Sequence, residues 1–226
     1  MLEKIRDLNN ICSFTAKDGL YKQWIYKEND YMKMCDYMQK INYSLQDLNS
    51  EIENLENACN KDVVFIISLV DWVSEAYEKI FNLIDEKIKS GFVFTNETEF
   101  EKRKQYLKAI RSFVVGHPLS TTRHENYELD GNFICVDIRN PKNSLNLFPN
   151  THYYKLRFDG LFSGRDDTSD YNLYCYSDKD DNMKYFRIVG CKFEDLYNVA
   201  RIYIDKLYEL NGFLKSKKKK DYEVLK

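Results

Sequence analysis

The segment Met34-Cys35-Asp36-Tyr37-Met38-Gln39-Lys40-Ile41-Asn42-Tyr43-Ser44-Leu45-Gln46-Asp47-Leu48-Asn49-Ser50-Glu51-Ile52-Glu53-Asn54-Leu55 decides the fold class. Its apolar residues Met34, Met38, Ile41, Leu45, Leu48, Ile52 and Leu55 recur at alternating intervals of four and three. At 3.6 residues per turn this spacing lines all of them along one helix face, with Lys, Asp, Gln and Glu opposite. The stripe predicts a bundle helix from Glu28 to about Ala58.

Working outward, a second helix is expected from about Asp62 to Lys89. Its stripe is Ile66, Val70, Val73, Tyr77, Ile80 and Ile84, thickened by Ile67, Phe81 and Ile88, and Gly91 is placed to stop it. The short connection predicts that the two lie antiparallel. A third helix begins near Asn96, an N-cap type with Glu99 three residues on. Phe100, Leu107, Ile110 and Val114 form its inner face, and Gly116 and Pro118 end it. Helical periodicity returns after Phe193 with Leu196, Val199, Tyr203, Leu207, Leu210 and Leu214, followed by a solvated Lys215–Lys220 tail. Residues 1–28 read as a short helix or an arm on the bundle.

Between about Asn132 and Gly190 the character changes. Phe133–Ile138, Tyr153–Phe158, Tyr171–Tyr176 and Tyr185–Val189 are rich in aromatic and β-branched residues and are bounded by turn formers, which predicts strands. Ser177–Asn182 reads as a hairpin loop between the last two. The expectation is therefore a mainly α (α+β) single domain over 1–226. Three bundle helices occupy 28–117, a small antiparallel β insertion occupies 130–190, and a final bundle helix occupies 192–218.

Composition narrows the function classes. Of 226 residues, 43% are hydrophobic and 31% charged, and the net charge is −2, so no global basic field coats nucleic acid. The six cysteines, at 12, 35, 59, 135, 175 and 191, form no C-x-x-C pair and read as reduced thiols, mostly small core residues. The acid-bearing N-terminus has no apolar core of a signal peptide, and the longest apolar run, Val63–Val70, is far short of a bilayer span. A cytoplasmic protein without a membrane partner is expected. The Gly-rich nucleotide loops, H-E-x-x-H and G-x-S-x-G are absent.

One stretch carries chemistry: Ile110-Arg111-Ser112-Phe113-Val114-Val115-Gly116-His117-Pro118-Leu119-Ser120-Thr121-Thr122-Arg123-His124-Glu125. Arg111 and His117 lie little more than a helical turn apart and can reach one phosphate. The guanidinium offers a fixed fork of donors, and the imidazole moves a proton near neutral pH. Ser112, Thr121, Thr122, Arg123 and His124 stand nearby as supporting groups. The structural alternatives are a helix-end salt bridge for Arg111 and a C-cap for His117. A metal held by His117, His124 and Glu125 or Asp137 matches no zinc spacing, and no cofactor is expected. The acidic loop Arg165–Asp170 lacks EF-hand spacing and reads as a solvated turn. The strand tyrosines are core, with an RNA-stacking platform as the competing role.

Arg111-x5-His117 at a helix end resembles the R-x(4–6)-H signature of the HEPN superfamily, in which a polar residue often follows the Arg, as Ser112 does here. The resemblance implies a helical bundle and a metal-independent endoribonuclease of toxin–antitoxin, abortive-infection or CRISPR systems. It further implies an RNA substrate, a site composed across a homodimer, and an antitoxin or other protein partner. The alternative from another class is a non-catalytic bundle module that binds a protein or nucleotide.

Overall fold

The computed structural model describes residues 2–8, 17–27, 29–116, 133–143, 151–177 and 186–220. The helices are α1 (Asp30–Glu51), α2 (Asn60–Leu83), the short α3 (Glu86–Lys89), α4 (Glu97–Arg111) and α5 (Phe193–Ser216). The strands are β1 (Phe133–Arg139), β2 (Thr151–Arg157), β3 (Gly160–Ser163), β4 (Tyr171–Ser177) and β5 (Phe186–Cys191).

The helical stripes face inward. Met34, Ile41 and Leu48 of α1, Ile66, Val70, Val73 and Ile80 of α2, Ile110 of α4 and Leu196, Tyr203, Leu207 and Leu214 of α5 are all inaccessible to solvent. The predicted second helix is shorter than its periodicity. At Ile84 the backbone turns extended and bridges Tyr26, and Asp85 then caps α3 by accepting from the Lys87 amide at 2.9 Å. The expected Asn96 side-chain cap is not made; its carbonyl accepts from Phe100 N instead.

The β region corrects the expected fold class. The molecule is α+β, and the strands form one five-stranded mixed sheet in the order β1-β4-β5-β2-β3, a layer in its own right rather than a small antiparallel insertion in a mainly α bundle. β1–β4, β4–β5 and β2–β3 pair antiparallel, while β2 and β5 pair parallel, with Tyr153 opposite Ile188. Sequence patterns mark strands but not their neighbours. The parallel pair joins strands distant in the chain, with a β3–β4 excursion between them. β3, four residues long at the sheet edge, is too short for periodicity to reveal. Leu173 and Cys175 of β4 and Val189 and Cys191 of β5 are wholly buried and join the same apolar cluster as the helical stripes.

β5 runs straight into α5, and this junction fixes the sheet against the bundle. Asp170 accepts a hydrogen bond from Phe193 N at 2.9 Å, and its own amide bonds to Cys191 O at 2.8 Å. A carboxylate at the first turn of a long helix satisfies an open amide and complements the dipole. At the other end of α5, Lys22 donates to the carbonyls of Leu214, Lys215 and Lys217. Gly19 (φ +55°) brings the N-terminal arm onto α5: a Cβ there would fall 1.9 Å from Asn211 Oδ1, the acceptor for Leu20 N. Among the described residues, no helix is long and apolar enough to cross a membrane.

Candidate functional site

Arg111 is the last residue of α4, and the chain continues as a π turn over Ser112–Gly116. Its orientation follows from its neighbours. Ile110, Ser112 and Phe113 are buried, at 0%, 5% and 1% exposure, so the guanidinium is left on the outer side. The π turn widens the helix by one residue, which lets Phe113 and Val114 both reach the core.

Two ion pairs set this end of α4 against α2. Lys104 meets Glu78 at 2.5 Å, and Arg111 Nη1 meets Asp71 Oδ1 at 3.1 Å. Each step is seven residues, two helical turns, in opposite chain directions, so α2 and α4 are antiparallel. Arg111 is 53% exposed and Asp71 19%. Burial pushes the Asp71 carboxyl above its ordinary value and Glu75 adds to this, while Arg111 pulls the other way. Asp71 thus steadies a guanidinium that solvent still reaches.

Of the residues singled out from sequence, Arg111 and Ser112 are the described ones: the first exposed in an ion pair, the second buried. His117, Thr121, Thr122, Arg123 and His124 lie outside the described residues, as does Glu125. Asp137 is bonded to Arg139 Nε at 2.6 Å and to Ile138 N at 2.8 Å. Of the strand tyrosines, Tyr171 and Tyr174 are buried, as core residues are. Tyr153 is partly exposed, with Arg165 5.7 Å over its ring, and Arg165 in turn pairs with the exposed Asp167. Five cysteines are free, and Cys135, Cys175 and Cys191 are buried, where desolvation raises their thiol pKa values. Cys12 lies outside the described residues.

A second polar cluster escaped the sequence reading. Arg157 at the end of β2 donates to Leu156 O and Gly190 O and forms an ion pair with Asp166. Asp166 also accepts from Thr168 N and Oγ1, so the turn, whose Arg165, Asp167, Thr168 and Asp170 are exposed as expected, also anchors the Arg157–Asp166 pair. Gly190 admits this loop: a Cβ there would lie 3.0 Å from Ser169 Cβ and 3.1 Å from Asp166 Cβ. Asp195 on the first turn of α5 is 7% exposed. Burial raises its carboxyl to about 6, against the opposing pull of Arg157 and Arg103. Its Oδ2 has no hydrogen-bond partner among the described residues. The nearby Tyr106 and Tyr171 phenols are driven upward by desolvation. Perturbed groups can mark catalysis, but Asp195, Tyr106 and Tyr171 are buried from solvent, and Arg157 beside Asp195 ties β2 to β5 through Gly190 O. The signal that could have found Asp166 is its place in an acidic turn three residues before Ser169, beside a glycine-containing strand; nothing local marks Asp195.

Comparison of the chain with protein-family models, curated proteins and solved structures finds no match.

Proposed function

We propose that the protein is a metal-independent endoribonuclease in which Arg111 and His117 act on one phosphodiester. The observation that carries this reading is the half-exposed guanidinium of Arg111 at the end of α4, steadied by Asp71. A cation held in place but open to solvent is suited to receive a phosphate, because its planar donors need little ordering on binding. In the proposed reaction the 2′-hydroxyl of RNA loses its proton to an imidazole and its oxygen attacks the adjacent phosphorus. Arg111 stabilises the charge on the phosphorane oxygens. The 5′-oxygen leaves with a proton, giving a 2′,3′-cyclic phosphate and a 5′-hydroxyl. A homodimer, a cytoplasmic setting and a role as a toxin or in phage defence belong to the same proposal.

Cleavage should persist in EDTA, and DNA should resist because it lacks the attacking hydroxyl. His117→Ala should lower the rate by on the order of a hundredfold or more. Arg111→Lys keeps the charge but loses the fork, and should also be severe. His124→Ala, outside the matched pair, should cost less. No cleavage of any RNA by the pure wild-type protein would overturn the reading.

The Arg111–Asp71 ion pair favours one other function, a non-catalytic module in which Arg111 serves only to tie α4 to α2. That reading predicts an inert protein whose partner binding survives His117→Ala.

A further inference from the structure

A cavity of about 260 Å³ lies on the sheet face turned away from the helices. Leu156 of β2, Leu173 of β4 and Val189 of β5 join the apolar core, so strand alternation puts Tyr153, Asn172 and Ile188 on the opposite face. Those three line the cavity, and Lys142, Arg165 and Asp167 stand around them. Gly190 has no side chain, which lets the loop from Arg165 to Asp170 pack close along one wall.

Three features of this lining are not used by the fold. Asn172 is 8% exposed, and its Oδ1 accepts from Ser169 Oγ at 2.8 Å, while its Nδ2 makes no hydrogen bond among the described residues. An enclosed amide donor calls for an acceptor, and an oxygen placed in the cavity would supply one. The charges are also uneven. Asp166 is matched by Arg157 and Asp167 by Arg165, but exposed Lys142 forms no ion pair among the described residues. One net positive charge therefore borders the cavity. The Lys142 amide donates to Asn140 Oδ1 at 3.0 Å and Asn140 Nδ2 donates to Glu56 O at 3.0 Å, so the turn that carries this lysine is anchored. The third feature is apolar surface: the Tyr153 ring, with Arg165 5.7 Å over it, and the side chain of Ile188.

We propose that this cavity binds a small organic monocarboxylate with a flat, apolar body. One carboxylate oxygen accepts from Asn172 Nδ2, and Lys142 meets the charge. The body lies against Tyr153 and Ile188, where an offset or edge-on ring packs well. One ionised acid matches the one unmatched cation. A phosphate dianion would bring a second negative charge beside Asp166 and Asp167, with no cation left to meet it. The volume, below that of most drug-sized sites, suits a single ring and its acid. Arg111 is not part of this lining, so the binding does not depend on the ribonuclease reading.

The test is calorimetric titration of the whole protein at neutral pH with benzoate, and with benzylamine, acetate and phenyl phosphate for comparison. Benzoate should bind with a dissociation constant of about 1 mM or lower. Acetate lacks the ring and benzylamine has the opposite charge, and each should bind at least tenfold more weakly. Phenyl phosphate should bind no more tightly than benzoate. Lys142→Glu, a change at an exposed position, should weaken benzoate at least tenfold. Asn172→Asp sets a second carboxylate against the ligand and should abolish binding, with circular dichroism to show that the fold is kept. If that buried variant does not fold, Lys142→Glu still decides. No binding of benzoate up to about 10 mM would overturn the site. So would tighter binding of benzylamine or phenyl phosphate, or a benzoate affinity unchanged by Lys142→Glu.

Discussion

Two arginine–carboxylate pairs in this protein have the same chemistry and opposite settings. Arg111 and Asp71 are 53% and 19% exposed at the outer edge of α2 and α4. Arg157 and Asp166 are 18% and 5% exposed where the sheet meets α5, with the buried Asp195 beside them. The first pair is wet and screened and gives the fold little, so its guanidinium stays available to another anion. The second is dry. There each charge depends on the other, and removing one leaves the rest buried without compensation. Burial raises a carboxyl at each, Asp71 in the first pair and Asp195 beside the second, while the solvent-accessible guanidinium belongs to the first.

The difference can be broken most forcefully at Arg157. Arg157→Ala should cost about 3–5 kcal/mol in urea unfolding, because Asp166 and Asp195 lose their counter-charge and two carbonyls lose a donor. A loss under about 1 kcal/mol would mean that the two pairs do not differ.

Asp195 gives an effect of similar kind but opposite sign. Its carboxyl is raised from 3.8 to about 6 in the folded state. At a pH below about 4 both states are protonated and folding carries no penalty. Between about 4 and 6 the unfolded chain ionises while the folded one does not, so stability falls as pH rises. Above about 6 the full penalty, about 3 kcal/mol, is in force. Asp195→Asn should therefore be more stable than wild type at pH 7 by about 2–3 kcal/mol, and the two should converge near pH 4. An equal difference at both pH values would show that ionisation is not the cause.

The smallest stability change belongs to Arg111. Arg111→Ala should shift unfolding by no more than about 1 kcal/mol, since the pair is half in water. Under the proposed function the same substitution removes RNA cleavage. A stability loss matching that of Arg157→Ala would make Arg111 a structural residue and favour the binding-module reading.

How far the sequence could be read differs along the chain. The stripes of α1, α2, α4 and α5 were legible because helices bury one face by a local rule of spacing. Asn96 and Ile84 show where that rule thins out. A cap type does not oblige its side chain to cap, and an apolar periodicity continues past the point where the backbone turns to bridge Tyr26. In the β region the strand segments were legible, but the parallel β2–β5 pair and the edge strand β3 were not, since neither leaves a local signature. For the candidate site, Arg111 and Ser112 could be named from spacing, but their opposite burial could not. Ile110 and Phe113, three residues apart, turn inward and leave Arg111 outward, whereas the burial of Ser112 falls at the π turn that follows α4.

By itself, then, the sequence determined the helical stripes, the presence of a strand-rich segment before the last helix, and the residue types in the Arg-x5-His stretch. Each is set by contacts within a few turns, where spacing along the chain and spacing in space are the same thing. Tertiary structure alone decided that the strands form one mixed five-stranded sheet, that Asp71 rather than another acid meets Arg111, and that Asp166 and Asp195 are drawn into the interior around Arg157. Those outcomes join residues far apart in sequence. Their energies come from burial and from the loss of water around charges, which no local pattern encodes.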